Sequence, residues 1–300
     1  MFRIAALAGL VALSAFDMAP FHAPPAQGRR VALEGADCSP INMMFGDYEV
    51  ARAEQHGTVP VSAGTLDIRP ESNGGVQIQR GAGSTFGITA CIGAGARRFA
   101  EAQAAVDAIR LVIEGSRVRV TGSNQSGSRN GIQSWSVQLI VTAPDGASID
   151  VETMNGPIGV SGFSGTLAAR ASNGPISLDE VTGTVRARAS NGPISVEGSR
   201  GEFDVETANG PIDVRLSGRR WDGHLEARAA NGPLTLRVPA DYQSGVEISS
   251  SQHSPWSCRA AACRGGNRDW DDRSRSLRLG VDPVVVRLST VNGPVTVAER

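Results

Sequence analysis

Lysine is absent: all 29 basic side chains among the 300 residues are arginine. Guanidinium groups suit phosphate and carboxylate recognition. Here they are scattered rather than clustered, which fits arginine-biased codons of a GC-rich genome and no dedicated anion site. A net charge of −1 implies no polyanion partner, so no nucleic acid. Beyond the first fifteen residues, no apolar stretch approaches the roughly 20 residues that span a bilayer. The hexapeptide periodicity of left-handed β-helices is missing. So is the nucleophile elbow, and His22, His56 and His224 have no partners at catalytic spacing.

What the chain does have at its start is Arg3 followed by an apolar run from Ile4 to Ala15. This reads as a secretory signal cleaved near Ala15, with a Pro/Ala-rich flexible leader behind it, together filling 1–28. No cysteine follows the run closely, so there is no lipoprotein site. The mature chain carries no membrane-length segment and is expected to be exported to the periplasm, cell surface or medium. The four cysteines, Cys38, Cys91, Cys258 and Cys263, fit an oxidising compartment. Four cysteines allow three pairings. Cys258–Cys263 closes a short loop and leaves Cys38–Cys91 as the long one. The Cys-x4-Cys spacing with His253 nearby is a weak match to zinc; no metal or cofactor is expected.

Asn-Gly-Pro recurs six times: Asn155-Gly156-Pro157, Asn173-Gly174-Pro175, Asn191-Gly192-Pro193, Asn209-Gly210-Pro211, Asn231-Gly232-Pro233 and Asn292-Gly293-Pro294. The first three steps are 18 residues and the fourth is 22. A fixed step is the length of one structural unit. Six, four and two residues before each Asn, and three and five after it, the side chains are apolar or small, as in Ile149, Val151, Thr153, Ile158 and Val160. Period 2 on both sides of a turn marks strands with one buried face. Asn and Gly tolerate the backbone of a reversal, and Pro belongs at a corner because it donates nothing to a ladder. Asparagines repeated at one corner can stack as a hydrogen-bonded ladder.

A unit of two short strands cannot bury its apolar edge alone, and stacking solves this. The expected fold is therefore all-β, a parallel β-solenoid of roughly 18-residue coils. A right-handed single-stranded β-helix is the form that parallel crossovers favour. Between the apolar positions lie charges. Stacking puts Glu152 opposite Arg170, and Glu206 opposite both Arg188 and Arg228, as a solvated charge ladder.

Residues 29–63 show few strand signals and read as an N-terminal cap or arm. The repeat domain covers 64–300. Leu66, Ile68, Val76 and Ile78 around Ser72-Asn73-Gly74-Gly75 form a diverged first repeat. The Ala-rich run over 99–109 predicts one short helix. A 22-residue step past Asn231 places a degenerate corner at His253-Ser254-Pro255-Trp256. An insertion follows at 257–275, and a last strand–turn–strand unit ends the chain.

The run Ser136-Val137-Gln138-Leu139-Ile140-Val141-Thr142-Ala143-Pro144-Asp145-Gly146-Ala147, followed by tandem Asn-Gly-x-Ile-x-Val units, resembles the bacterial putative-adhesin β-strand-repeat family, a domain of unknown function. The resemblance covers about residues 64–297. It implies an extracytoplasmic β-solenoid proposed to mediate adhesion, with some relatives associated with envelope stress, and it brings no catalytic residues. The near-uniform Pro after Gly and the cysteine-bearing insertion depart from the family pattern.

The expected role is a non-catalytic binding or structural surface at the cell envelope, facing a cell-wall or surface glycan or an envelope protein. Two other readings are a glycan-active β-helix lyase or hydrolase, and a passive or stress-response envelope component without a ligand. The enzyme would need carboxylates converging on a groove, whereas the acids here alternate with arginine. The best candidate ligand surface is His253, Trp256 and Trp270 beside Asp269, Asp271 and Asp272. The same insertion could instead be a disulfide-pinned cap over the last coil.

Overall fold

The computed structural model describes residues 38–39, 41, 43–70, 74–122, 132–251, 256–263, 269–271 and 275–300. The signal and leader expected at 1–28 lie outside the described residues.

The first part of the chain forms β1 (Glu49–Pro60), β2 (Leu66–Arg69), β3 (Gly74–Arg80), β4 (Thr85–Ala96), α1 (Phe99–Ala108), β5 (Arg110–Glu114), β6 (Arg117–Thr121) and β7 (Ile132–Ala143). The repeats follow as strand pairs. These are β8 (Ala147–Asn155) with β9 (Ile158–Ser161), β10 (Ser164–Asn173) with β11 (Ile176–Asp179), and β12 (Thr182–Asn191) with β13 (Ile194–Gly198). Next come β14 (Arg200–Asn209) with β15 (Ile212–Leu216), and β16 (Asp222–Asn231) with β17 (Leu234–Val238). The chain ends with β18 (Gly245–Ser250), β19 (Trp256–Cys258), β20 (Asp269–Asp271), β21 (Ser276–Leu279), β22 (Val284–Asn292) and β23 (Val295–Glu299).

Each repeat gives one strand to each of two sheets. The first sheet runs β20-β21-β18-β22-β16-β14-β12-β10-β8-β2-β6-β5, and the second β1-β4-β7-β3-β9-β11-β13-β15-β17-β23-β19. Through the middle, all neighbours are parallel and pair equivalent residues: Leu167 lies beside Ile149 and Val185, and Ile176 beside Ile158 and Ile194. In-register parallel pairing keeps every inward position inward. Ile149, Leu167, Val185, Leu225 and Val286 from one sheet therefore share a dry core with Ile158, Ile176, Ile194, Ile212 and Val295 from the other. Val76 and Ile78 join the stack beside Ile158 and Val160.

The wholly parallel arrangement expected from the repeats stops at both ends. At one end β1, β4 and β7 pair antiparallel, as do β5 and β6. At the other, β21 pairs antiparallel with both β18 and β20. Chain order and spatial order also part company. β6 and β7 lie outside β2 and β3, while β22 and β23 lie between β16/β17 and β18/β19. Asn231 thus pairs with Asn292, and β18 and β19 lie outside the last repeat; the degenerate corner expected at 253 lies outside the described residues. Both ends are chain excursions between adjacent units, the arrangement that covers an apolar edge while keeping both attachments in the stack.

Residues 49–60, poor in strand signals, are β1, a twelve-residue strand. Ala102, Ala105 and Val106 of α1 are buried. Gln55 replaces a strand contact at this end: its Nε2 donates to the Ile109 carbonyl at 2.8 Å, and its Oε1 accepts from the Leu111 N–H at 2.8 Å. Cys38 is disulfide-bonded to Cys91, and Cys258 to Cys263.

Candidate binding surface

The Asn-Gly-Pro corners line up as one exposed edge. Asn173 Nδ2 donates to Asn155 Oδ1 at 3.0 Å, and the bond repeats from Asn191 to Asn173 (3.1 Å), Asn209 to Asn191 (3.1 Å), Asn231 to Asn209 (3.2 Å) and Asn292 to Asn231 (3.0 Å). The second amide hydrogen of Asn191, Asn209 and Asn231 goes to the carbonyl of Ser172, Ser190 and Ala208. Each amide is therefore oriented by its neighbours, and the row leaves an acceptor lone pair per asparagine outward.

Glycine is needed here for a reason other than turn geometry. A Cβ on Gly174, Gly192, Gly210, Gly232 or Gly293 would fall on the carbonyl oxygen of the glycine one unit before. The corner backbones touch, and any side chain would push the units apart. Thr153, Thr207 and Thr290, buried two residues before the Asn, donate to the glycine carbonyls of residues 156, 192 and 232 at 3.0 to 3.1 Å.

The outer face of the first sheet carries the charges. Register puts Glu152 beside Arg170, and Glu206 beside Arg188 and Arg228. The ion pairs mostly run diagonally instead. Arg170 reaches Asp150 at 2.8 Å, Arg228 reaches Asp204 at 2.9 Å and Glu226 at 3.1 Å, and Arg188 spans Asp204 and Glu206. Asp204 collects three guanidinium groups, the third being Arg186 at 3.8 Å. Partial burial pushes its pKa up. The hydrogen bond from Arg188 and the charges of Arg188, Arg228 and Arg186 outweigh that and hold it below the usual carboxylate range. Arg186 faces Asp204 in register, but Arg188 and Arg228 reach it diagonally, and diagonal partners cannot be read from register.

The longer fourth step hides an aromatic plug. Just after the extra residues between β15 and β16, Trp221 is buried where earlier units carry Phe163 and Val181, edge-to-face with Phe203 at 5.4 Å. Its Nε1 donates to the Gly201 carbonyl at 3.1 Å, and its backbone N–H donates to Ser244 Oγ at 3.1 Å. Nearby, the Tyr242 hydroxyl is buried beside Ser244 and the Trp221 backbone, and burial pushes its pKa up to about 12 against the pull of those two groups.

Of the residues expected to form a ligand platform, Trp256 lies in β19, at the edge of the second sheet. Asp269, Trp270 and Asp271 lie in β20, at the edge of the first. The two strands share one end of the stack but not a sheet. His253 and Asp272 lie outside the described residues. Among the described residues, no group of three or more His, Cys, Asp or Glu could hold a metal ion. No helix among them is long and apolar enough to cross a membrane. A broad concavity of about 550 Å³ is lined by Arg80, Gly81, Ala82, Gly83 and Asp145. There Arg80 Nε hydrogen-bonds both Asp145 oxygens at 3.0 Å. A smaller one of about 260 Å³ lies over the Cys38–Cys91 disulfide.

No family model matches the chain, and no curated protein matches it in sequence. Among solved structures it is similar to a putative cell adhesion protein from Clostridium sporogenes, at 8% identity and a TM-score of 0.34, over 83% of this chain and 100% of that one. It is also similar to a putative adhesin from Bacteroides fragilis, at 8% identity and a TM-score of 0.39, over 83% of this chain and 97% of that one. A third is a putative lipid binding protein from Parabacteroides distasonis, at 8% identity and a TM-score of 0.34, over 83% and 96%.

Proposed function

We propose that this chain is an exported, non-catalytic β-solenoid that presents an adhesin-like binding or structural surface at the cell envelope. The observation that carries the reading is the corner row. Six exposed asparagines, held in register by five amide–amide bonds, form a linear array, which fits an extended partner rather than a small molecule. The acids of the charged face support the same reading. Asp150, Asp204 and Glu206 are each engaged by arginine, whereas glycoside chemistry needs one carboxyl protonated and one free at a common groove. The two disulfides fit an oxidising compartment. Cell-wall or surface glycan is the partner class that suits a polar, uncharged row of this kind.

Co-sedimentation of the mature protein, from Arg29 onward, with isolated envelope and cell-wall polysaccharide tests this. Saturable binding is expected. Its loss when Trp256 and Trp270 become Ala would put the contact at the C-terminal end, and its retention would put it on the repeat faces. Binding to no fraction would overturn the binding role. Release of reducing ends or unsaturated products from uronic-acid polymers would overturn the non-catalytic one.

A further inference from the structure

The asparagine row has a chemical liability as well as a shape. In Asn-Gly, the glycine nitrogen can attack the asparagine Cγ with no Cβ in the way, so each of the six corners is primed for deamidation. The fold treats them unequally. Asn173, Asn191, Asn209, Asn231 and Asn292 each donate Nδ2 to the preceding asparagine. Asn155 accepts from Asn173 but, among the described residues, donates to nothing. The attacking glycine nitrogens of the first five corners are also held, each donating to the asparagine carbonyl of the next unit. That bond is 3.2 Å at Gly156, 3.1 Å at Gly174, and 2.9, 2.9 and 2.8 Å at Gly192, Gly210 and Gly232. Among the described residues, the first corner is the one whose leaving group is bound to no acceptor.

We propose that Asn155 is a site of spontaneous deamidation and that the ladder shields the asparagines stacked upon it. In the step, the Gly156 nitrogen gives up its proton and bonds to Cγ of Asn155. The Cγ–Nδ2 bond breaks, and ammonia leaves carrying that proton. Water then opens the cyclic imide to aspartate or isoaspartate. The product is compatible with the fold at this position alone: a carboxylate at 155 still accepts from Asn173 Nδ2, more strongly for its charge. A carboxylate at 191 would have no hydrogen to offer Asn173 Oδ1 or the Ser172 carbonyl, and would set acceptor against acceptor.

Arginine cleavage places each of the six asparagines on a separate peptide, and fragmentation separates Asn155 from Asn130-Gly131 on the peptide they share, so one digest reads them all. The folded protein is incubated in mildly alkaline buffer, and amide-to-acid conversion is followed by mass spectrometry. Asn155 is expected to convert at least about tenfold faster than Asn173, Asn191, Asn209 and Asn231, a barrier difference of about 1.4 kcal/mol. The reduced, unfolded chain should convert all six at similar rates, which shows that the fold causes the difference. Equal rates in the folded protein, or an interior asparagine leading, would overturn the proposal. A second arm compares Asn155→Asp with Asn191→Asp. The first should melt with the parent and the second below it; equal losses would overturn the asymmetry.

Discussion

The regular middle of the molecule and its irregular ends solve the same problem by different means. Between residues 147 and 238, identical positions stack on one another, so one set of side chains serves many units. Inward aliphatics, a stripped glycine corner and an asparagine row repeat without adjustment. At the ends there is no next unit to supply a partner. There the chain uses antiparallel strands, a helix, a glutamine standing in for a strand, and disulfides. Repetition makes register inexpensive in sequence information, but it offers no way to stop. Stopping requires residues that occur once, and those are where single substitutions should differ from place to place.

The sharpest test of that contrast lies where the repeat lengthens. Ten residues before Asn231, Trp221 takes the place that Phe163, Val181 and Ser199 hold in the 18-residue units, and it fills core space with its Nε1 bonded to Gly201. Trp221→Ala is expected to cost about 4 kcal/mol in urea unfolding, through cavity formation and a stranded carbonyl. A cost below about 1 kcal/mol would mean that the regular strands on either side close the gap unaided.

The next test sets two glycines of the stack against each other. Gly192→Ala would place a methyl group on the Gly174 carbonyl, while at Gly198 the same atom meets open space. The first should cost about 3 kcal/mol by forcing neighbouring units apart. The second should stay within about 0.5 kcal/mol. Equal effects would show that the corner backbone yields and that close stacking is not what selects glycine.

The two regions were also unequally legible. The 18-residue step and the alternation around each Asn suffice to pair Leu167 with Ile149 and Ile176 with Ile158, because parallel in-register strands put equivalent residues side by side. The helix also read correctly from its alanines, ending at Ala108. β1 did not read. Its inward residues include Ala53, Gln55 and Gly57; they alternate with exposed Glu54, His56 and Thr58, but they are small or polar, fitted to α1 and β5, so the alternation carries little apolar signal. The insertion of β22 and β23 beneath β18 and β19 did not read either, since a periodic pattern carries no record of spatial order. At the surface, the asparagine row followed from its spacing. The hub on Asp204 depends on the diagonal reach of Arg188 and Arg228, which a column of equivalents does not reveal, whereas the Trp221 plug lies in a column with Phe163 and Val181, ten residues before each Asn and beyond the alternation that flanks the corner.

Asp204 probes the charged face of the stack by pH. Its carboxyl is held below the usual range in the folded state. It therefore contributes stability that is present above the unfolded-state pKa of about 4 and lost as pH falls through the lower folded-state value. Asp204→Asn should cost about 1 kcal/mol at neutral pH, since the site is partly solvated and only charge-assisted bonds are lost. It should also flatten the acid limb of the stability profile. An unchanged acid limb would mean that the face is screened and the hub contributes no stability.

The smallest expected effect at neutral pH belongs to Tyr242, beside the plug. Its hydroxyl is buried beside Ser244 and the Trp221 backbone, and burial pushes its pKa up to about 12. A raised folded-state pKa means the protein is most stable while the phenol keeps its proton. That contribution is whole below the unfolded-state value of about 10 and is lost as pH rises through about 12. Tyr242→Phe removes only weak hydrogen bonding to Ser244 and the Trp221 backbone, so unfolding at neutral pH should shift by about 0.5 kcal/mol. Above pH ~10 the two proteins should separate, the parent losing stability and the variant keeping it, because only the parent has a phenol to ionise. Urea unfolding at several alkaline pH values measures this directly. Parallel losses in both proteins would place the alkaline limb elsewhere, and would mean that water reaches the irregular region beside Trp221 as readily as it reaches the exposed ends of the stack.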